Sequence, residues 1–188
     1  MGAASAPMID DIVHAWFQSH RVPWATQAML FVTYVHGTLG LLAMVTALAG
    51  VLWRTGDKRW IPILVAGVPG AMLLNVGVKN VVQRARPVVE QPLLVLDTYG
   101  FPSGHAAGTA ALYSFAAAWL LSRLRGRPLA WRAAVVVAAV FMTLWVSVSR
   151  LYLGVHFVSD VLAGMLLGTL WLMLCLAVPA RRQAKTSR

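Results

Sequence analysis

Charge is scarce in this chain and unequally divided: 12% of the 188 residues are charged, and six Asp and Glu face sixteen Lys and Arg. The single cysteine, Cys175, excludes an intramolecular disulfide and a thiolate metal cluster; it lies in an apolar run and reads as a packing residue. Acids at metal-ligand spacing are missing as well. Asp160 has no second carboxylate at such a distance, so nothing calls for a divalent ion and no cofactor is expected. The formal net charge of +10 is not gathered into a basic stripe, and no RNP, zinc or helix-turn-helix pattern accompanies it, which argues against nucleic acid as a partner. The N-terminus lacks a basic segment followed by an apolar one, since Asp10 and Asp11 precede every cation. No cleaved signal peptide is therefore expected, and the whole chain is read as mature.

Apolar residues are abundant. At 59% they exceed the share of about half found in soluble domains, so the bilayer is the expected solvent. Runs long enough to cross about 30 Å of hydrocarbon fall at 27–53, 60–82, 104–121, 131–149 and 158–178. Residues 8–19 place Ile9, Ile12, Val13, Trp16 and Phe17 at helical spacing, which suits a short helix lying in the interface. The expected fold is an all-α polytopic transmembrane bundle forming one domain over 1–188. It has five spans and an N-terminal interfacial helix, or six spans if that helix inserts. Trp24, Trp53, Trp60 and Trp131 stand at span ends, where indoles favour the headgroup region. Gly164 and Gly168 make a small-xxx-small pattern that suits close helix packing.

The cations report orientation. Arg54, Lys58 and Arg59, then Arg123, Arg125, Arg127 and Arg132, then Arg181, Arg182, Lys185 and Arg188 all fall on one side of a five-span layout. By the positive-inside rule that side is cytoplasmic, together with the C-terminus. Arg21, Lys79, Arg84, Arg86 and Arg150 remain outside, against the trend; an anion site gives Lys79, Arg86 and Arg150 a reason to be there, while Arg21 and Arg84 suit snorkelling interfacial side chains.

The outer ends of the spans carry three polar clusters. Lys79 and Arg86 are two helical turns apart, so a continuing helix would present both on one face before Pro87 ends it. Arg84 falls about 140° away from Lys79 around such a helix and is left outside the site. Pro102-Ser103-Gly104-His105 opens an apolar run: Ser103 suits an N-cap, Gly104 lets backbone N–H groups approach a ligand, and a helix start attracts phosphate. His105 is then within reach of a leaving oxygen as a general acid. His156 and Asp160 are spaced i and i+4, so the carboxylate can accept the second imidazole N–H and fix the tautomer of a nucleophilic histidine. Arg150 suits a bidentate grip on phosphoryl oxygens. His36, an isolated histidine in the first span, either lines a substrate path or is satisfied by a neighbouring helix; Glu90 and Asp97 are loop carboxylates that solvent or a headgroup would meet. His14 and His20 show no partner.

Together, K-x6-R-P from Lys79 to Pro87, P-S-G-H from Pro102 to His105 and S-R-x5-H-x3-D from Ser149 to Asp160 resemble the three signature motifs of the type 2 phosphatidic acid phosphatase family. The resemblance covers 79–160 by motif and the flanking spans by layout. It implies a metal-independent phosphatase site, with His156 as nucleophile, Asp160 as its partner and His105 as proton donor. Lys79, Arg86, Ser103, Gly104 and Arg150 would bind phosphate. The layout is similar to undecaprenyl diphosphate and phosphatidylglycerophosphate phosphatases of the bacterial inner membrane, acting on a lipid phosphate from the extracytoplasmic side. A lipid phosphotransferase using the same histidine, a vanadate-dependent haloperoxidase and a non-catalytic lipid-binding protein are the alternatives. The family departs from this chain in length, many members showing six spans, and oligomeric state is left open.

Overall fold

A computed structural model describes residues 8–89 and 92–186, with side chains up to residue 178; Glu90, Arg188 and the side chains of Arg181, Arg182 and Lys185 lie outside the described part. Among the described residues the chain is wholly helical. The helices are α1 (Met8–Ser19), α2 (Pro23–Val35), α3 (Thr38–Arg54), α4 (Ile61–Val82), α5 (Gly104–Arg123), α6 (Leu129–Tyr152) and α7 (Val158–Thr186), with a short 3-10 turn at Lys58–Trp60 before α4. Proline opens α2 and α4, where its missing N–H costs nothing and its fixed φ suits the first turn.

The apolar run at 27–53 is not one straight span. It breaks at His36 and Gly37 into α2 and α3, bent by 58°. Backbone crowding at the bend requires glycine: a Cβ on Gly40 would lie 1.8 Å from the carbonyl oxygen of Val35. The carbonyl of Val32 accepts the His36 backbone N–H at 3.1 Å, and the Thr33 carbonyl turns to a side chain of α5, described below. An interrupted helix at membrane depth needs such partners, since lipid offers none.

Three segments are long and apolar enough to cross a membrane, Lys58–Val82, Leu129–Tyr152 and Val158–Val178, and the bent α2–α3 pair makes a fourth. The third expected span, at 104–121, is α5 and is not among them. It is rich in Ala, Gly, Ser and Thr, and nine of its residues are buried. It packs against α4, α6 and α7, so its surroundings are protein. The contact with α7 is close enough to need the two glycines: a Cβ would lie 2.5 Å from the Ser103 carbonyl oxygen at Gly164 and 2.1 Å from that of Ala107 at Gly168. This is the close approach that the small-xxx-small spacing predicts.

The main core joins Leu41, Val45 and Leu52 of α3 to Leu64 and Val68 of α4, Phe115 of α5 and Leu172 of α7. A smaller cluster gathers Ala25, Tyr152, Leu153 and Val155, with Phe17 of α1 packed on it. Trp24, Trp53 and Trp131 are exposed at helix ends, as interfacial indoles would be. Trp60 differs: its ring meets Phe115 edge-on at 5.8 Å, so it closes the core at that end.

Candidate active site

The three sequence clusters converge on one cavity of about 800 Å³. Lys79 reaches it from the end of α4, Gly104 and His105 from the start of α5, Arg150 from the end of α6, His156 from the turn before α7, and Arg86 from the long α4–α5 connection. At the other end the walls are apolar, with Leu41 and Leu42 of α3 facing Pro69, Met72, Leu73 and Val76 of α4. Leu73 is 73% exposed, so this flank opens sideways between α3 and α4.

Arg86 arrives by a different route from the one its spacing suggests. The helix ends at Val82, and Gln83 takes the left-handed conformation with φ of 51°, so no helical phase relates Lys79 to Arg86. The connection folds back instead. Arg86 donates through Nε to the Thr98 carbonyl at 2.7 Å, through one terminal nitrogen to Thr98 Oγ1 at 2.9 Å, and through the other to the Val155 carbonyl at 2.8 Å. That last nitrogen also lies 3.2 Å from His156 Nε2. Lys79 is held similarly, its Nζ donating to the Tyr99 carbonyl at 2.6 Å.

A guanidinium can only donate, so this contact casts His156 Nε2 as the acceptor and leaves the imidazole proton on Nδ1. Nδ1 stands 3.4 Å from Asp160 Oδ2, both side chains buried. The i, i+4 relation is therefore met, as a charge contact longer than an ordinary hydrogen bond. Burial first, with the cations Arg150 and Arg86, pushes the His156 pKa down to about 4 against the opposing pull of Asp160. The imidazole is thus neutral at physiological pH, its Nε2 lone pair turned to Arg86 on the cavity wall. Burial also lowers the pKa of Arg86, but it remains a cation.

His105 lies across the cavity. Its Nε2 donates to the Thr33 carbonyl at 3.1 Å, the acceptor released where α2 stops, which leaves Nδ1 for proton exchange. Thr33 also accepts, through Oγ1, a hydrogen bond from Arg150. One residue of α2 thus orients two members of the site, and no motif signalled it. Ser103 occupies the N-cap position of α5, yet its hydroxyl makes no capping bond and has no hydrogen-bond partner. Its backbone N–H instead donates to the Asp160 carbonyl at 2.9 Å, tying the start of α5 to α7. Gly104 does sit on the cavity wall, with Asn75 of α4 close to it.

Arg84 does not line the cavity, although helical phase is not the reason, since the helix ends at Val82; it meets the site through Asp160. Its guanidinium bridges Asp160 Oδ1 at 2.8 Å and Asp10 Oδ2 at 3.1 Å. His36 is satisfied by a neighbouring helix, its Nε2 lying 2.6 Å from the hydroxyl of Tyr113 on α5, and it also lines the cavity. Asp97 is also on the cavity wall. His20 pairs with its own helix, Nδ1 lying 2.8 Å from the Trp16 carbonyl, and His14 tilts against Phe157 at 6.1 Å.

The model of the PAP2 superfamily matches residues 60–184. Phosphatidylglycerophosphatase B of Bacillus subtilis is 35% identical over 80% of this chain and 73% of its own length. Decaprenylphosphoryl-5-phosphoribose phosphatase of Mycobacterium tuberculosis is 33% identical over 66% of this chain and 64% of its own. The crystal structure of a transmembrane PAP2-type phosphatidylglycerolphosphate phosphatase from Bacillus subtilis superposes with a TM-score of 0.81 at 29% identity, covering 92% of this chain and 85% of that one. Aquifex aeolicus LpxE, 18% identical with a TM-score of 0.71 over 94% and 99% of the two chains, shares the fold.

Proposed function

The chain belongs to the PAP2 superfamily, and from that premise we propose that it hydrolyses a phosphate monoester or diphosphate on a membrane lipid through a phosphohistidine formed on His156. Its relatives make it a membrane lipid phosphatase. The observation that carries the finer reading is the two-ended cavity, in which Lys79, Arg86, His105, Arg150 and His156 face a wall of Leu and Met side chains. One end suits a phosphoryl group and the other a lipid tail entering from the side.

In this reading His156 Nε2 attacks phosphorus and the bond from phosphorus to the leaving oxygen breaks. His105, entering as the imidazolium with its Nε2–H held by the Thr33 carbonyl, gives that oxygen the proton on Nδ1 and becomes neutral. The three cations hold the equatorial oxygens as charge shifts onto them. A water molecule then gives a proton back to His105 and attacks phosphorus, which releases inorganic phosphate and restores His156. Asp160 stabilises the positive charge that His156 carries meanwhile, as a carboxylate does for an orienting or attacking imidazole elsewhere. Every step uses side chains alone, and the reaction is proposed to need no metal. The substrate class is a lipid with a terminal phosphate or diphosphate, of phosphatidylglycerophosphate or polyprenyl type, presented at the extracytoplasmic face.

The test is phosphate release by the purified protein from phosphatidylglycerophosphate, polyprenyl diphosphate, phosphatidate and lipid A in turn. His156→Ala is expected to lose at least a hundredfold in kcat with folding intact, and turnover is expected to persist in EDTA. Undiminished phosphate release by His156→Ala would overturn the histidine mechanism, and activity lost to EDTA and restored by magnesium would overturn metal independence. Phosphoryl transfer that requires a second lipid as acceptor would replace hydrolysis by the transferase reading.

A further inference from the structure

We propose that Asp10, on the N-terminal helix, is a positioning residue for the reaction: it holds Arg84 against Asp160 and keeps the cluster facing His156 negatively charged. The inference rests on His156 being the nucleophile. Asp10 lies outside residues 60–184 that match the family model, on a helix whose other face, with Ile9, Ile12 and Trp16, is exposed.

Asp10 and Asp160 each have fully buried side chains, and a single guanidinium bridges them. Arg84 donates 2.8 Å to Asp160 Oδ1 and 2.7 Å to Ser159 Oγ with one terminal nitrogen, and 3.1 Å to Asp10 Oδ2 with the other. Asp10 is fixed from the opposite side by Ser159, whose backbone N–H donates to Oδ1 at 3.0 Å and whose hydroxyl donates to Oδ2 at 2.5 Å. Asp160 uses its other oxygen for the Phe157 backbone N–H at 2.9 Å and the His156 contact at 3.4 Å. Burial works to raise the Asp10 pKa, but the bonds from Ser159 and Arg84 outweigh it and hold the carboxyl below its usual range. Asp10 is therefore an anion in the folded protein.

Charge explains why a second carboxylate is needed. Arg84 and Asp160 alone would cancel, and His156 would then face a carboxylate already neutralised by a guanidinium, with Arg86 and Arg150 on its other side. Adding Asp10 leaves one net negative charge in a buried, weakly screening environment, where it acts strongly on a developing imidazolium. Geometry points the same way. Asp160 can turn its Oδ2 toward His156 because Arg84 pins Oδ1, and Arg84 stays in place because Asp10 and Ser159 grip it. A residue acting this way alters the reacting step and leaves substrate binding to the cavity walls.

The experiment uses full-length purified enzyme in mixed micelles, with inorganic phosphate release from phosphatidylglycerophosphate as the readout and thermal unfolding in detergent as the folding check. Asp10→Asn is expected to lower kcat about tenfold or more with KM within twofold of the parent, and Asp10→Glu, which keeps the charge, to recover most of the loss. The double variant Asp10→Asn with Arg84→Gln should lose less than the product of the two single losses, because the grip on Arg84 is shared between them. A kcat equal to that of the parent in Asp10→Asn, a change confined to KM, or losses that multiply in the double variant would each overturn the inference. Should Asp10→Asn fail to fold, Ser159→Ala loosens the same carboxylate: a fall in kcat alone of about threefold supports the inference and an unchanged kcat overturns it. His156→Ala separates the two levels, since full activity in that variant sinks the nucleophile assignment itself, whereas an inactive His156→Ala beside a normal Asp10→Asn sinks only the role of Asp10.

Discussion

His156 meets a cation at one ring nitrogen and a carboxylate at the other, 3.2 Å from Arg86 and 3.4 Å from Asp160. A nucleophilic imidazole must be unprotonated, so activity is lost as pH falls through its pKa. With that pKa held at about 4, the acid limb of kcat/KM, corrected for ionisation of the substrate phosphate, should fall near pH 4. An ordinary histidine would place it near about 6.5. A limb that stays near the ordinary value would show that His156 is not buried beside Arg150 and Arg86 in solution. The residues of this centre were legible in the sequence to different degrees. His105, Arg150, His156 and Asp160 announce themselves because their chemistry is local to a motif. Arg84 stays off the cavity wall as expected, but the argument that put it there assumed that α4 runs on past Val82, whereas Gln83 turns left-handed and ends the helix. Thr33 and Asp10 left no pattern at all: each contacts the site from more than seventy residues away in the chain, a separation that periodicity and spacing do not register.

Among the elements, helix positions follow the apolar runs closely, because length and hydropathy are what the bilayer selects. The departures come where tertiary contacts replace lipid. At His36 and Gly37 the continuous apolar pattern conceals a 58° bend, since hydropathy does not report whether a backbone carbonyl is needed elsewhere. Here it is: stopping α2 frees the Thr33 carbonyl for His105. The α5–α7 seam was legible as small residues, and its closeness sets its cost of alteration. A Cβ at Gly168 would stand 2.1 Å from a carbonyl oxygen of α5, and this is backbone that cannot swing aside. Gly168→Val should therefore lower the thermal midpoint in detergent, by an overpacking cost of about 1–3 kcal/mol. Because α5 and α7 carry His105 and Asp160, activity should fall with it. A midpoint equal to that of the parent would mean that the two helices are farther apart than described.

For the whole molecule, the uneven placement of cations supports an orientation in which the cavity faces the extracytoplasmic side. Single cysteines introduced at Val95→Cys, beside the cavity in the α4–α5 connection, and at Arg125→Cys, between α5 and α6, test it. In a Cys175→Ser background, an impermeant thiol reagent added to intact cells should label the first alone, and label on both or on the second alone would overturn the orientation. The central place of α5 has a bearing on biogenesis. It is not among the segments long and apolar enough to count as a span, and the glycines that receive it belong to α7, which is synthesised after it. Translation must therefore reach α7 before α5 has its permanent neighbours, and a nascent chain stopped earlier holds His105 without its seat.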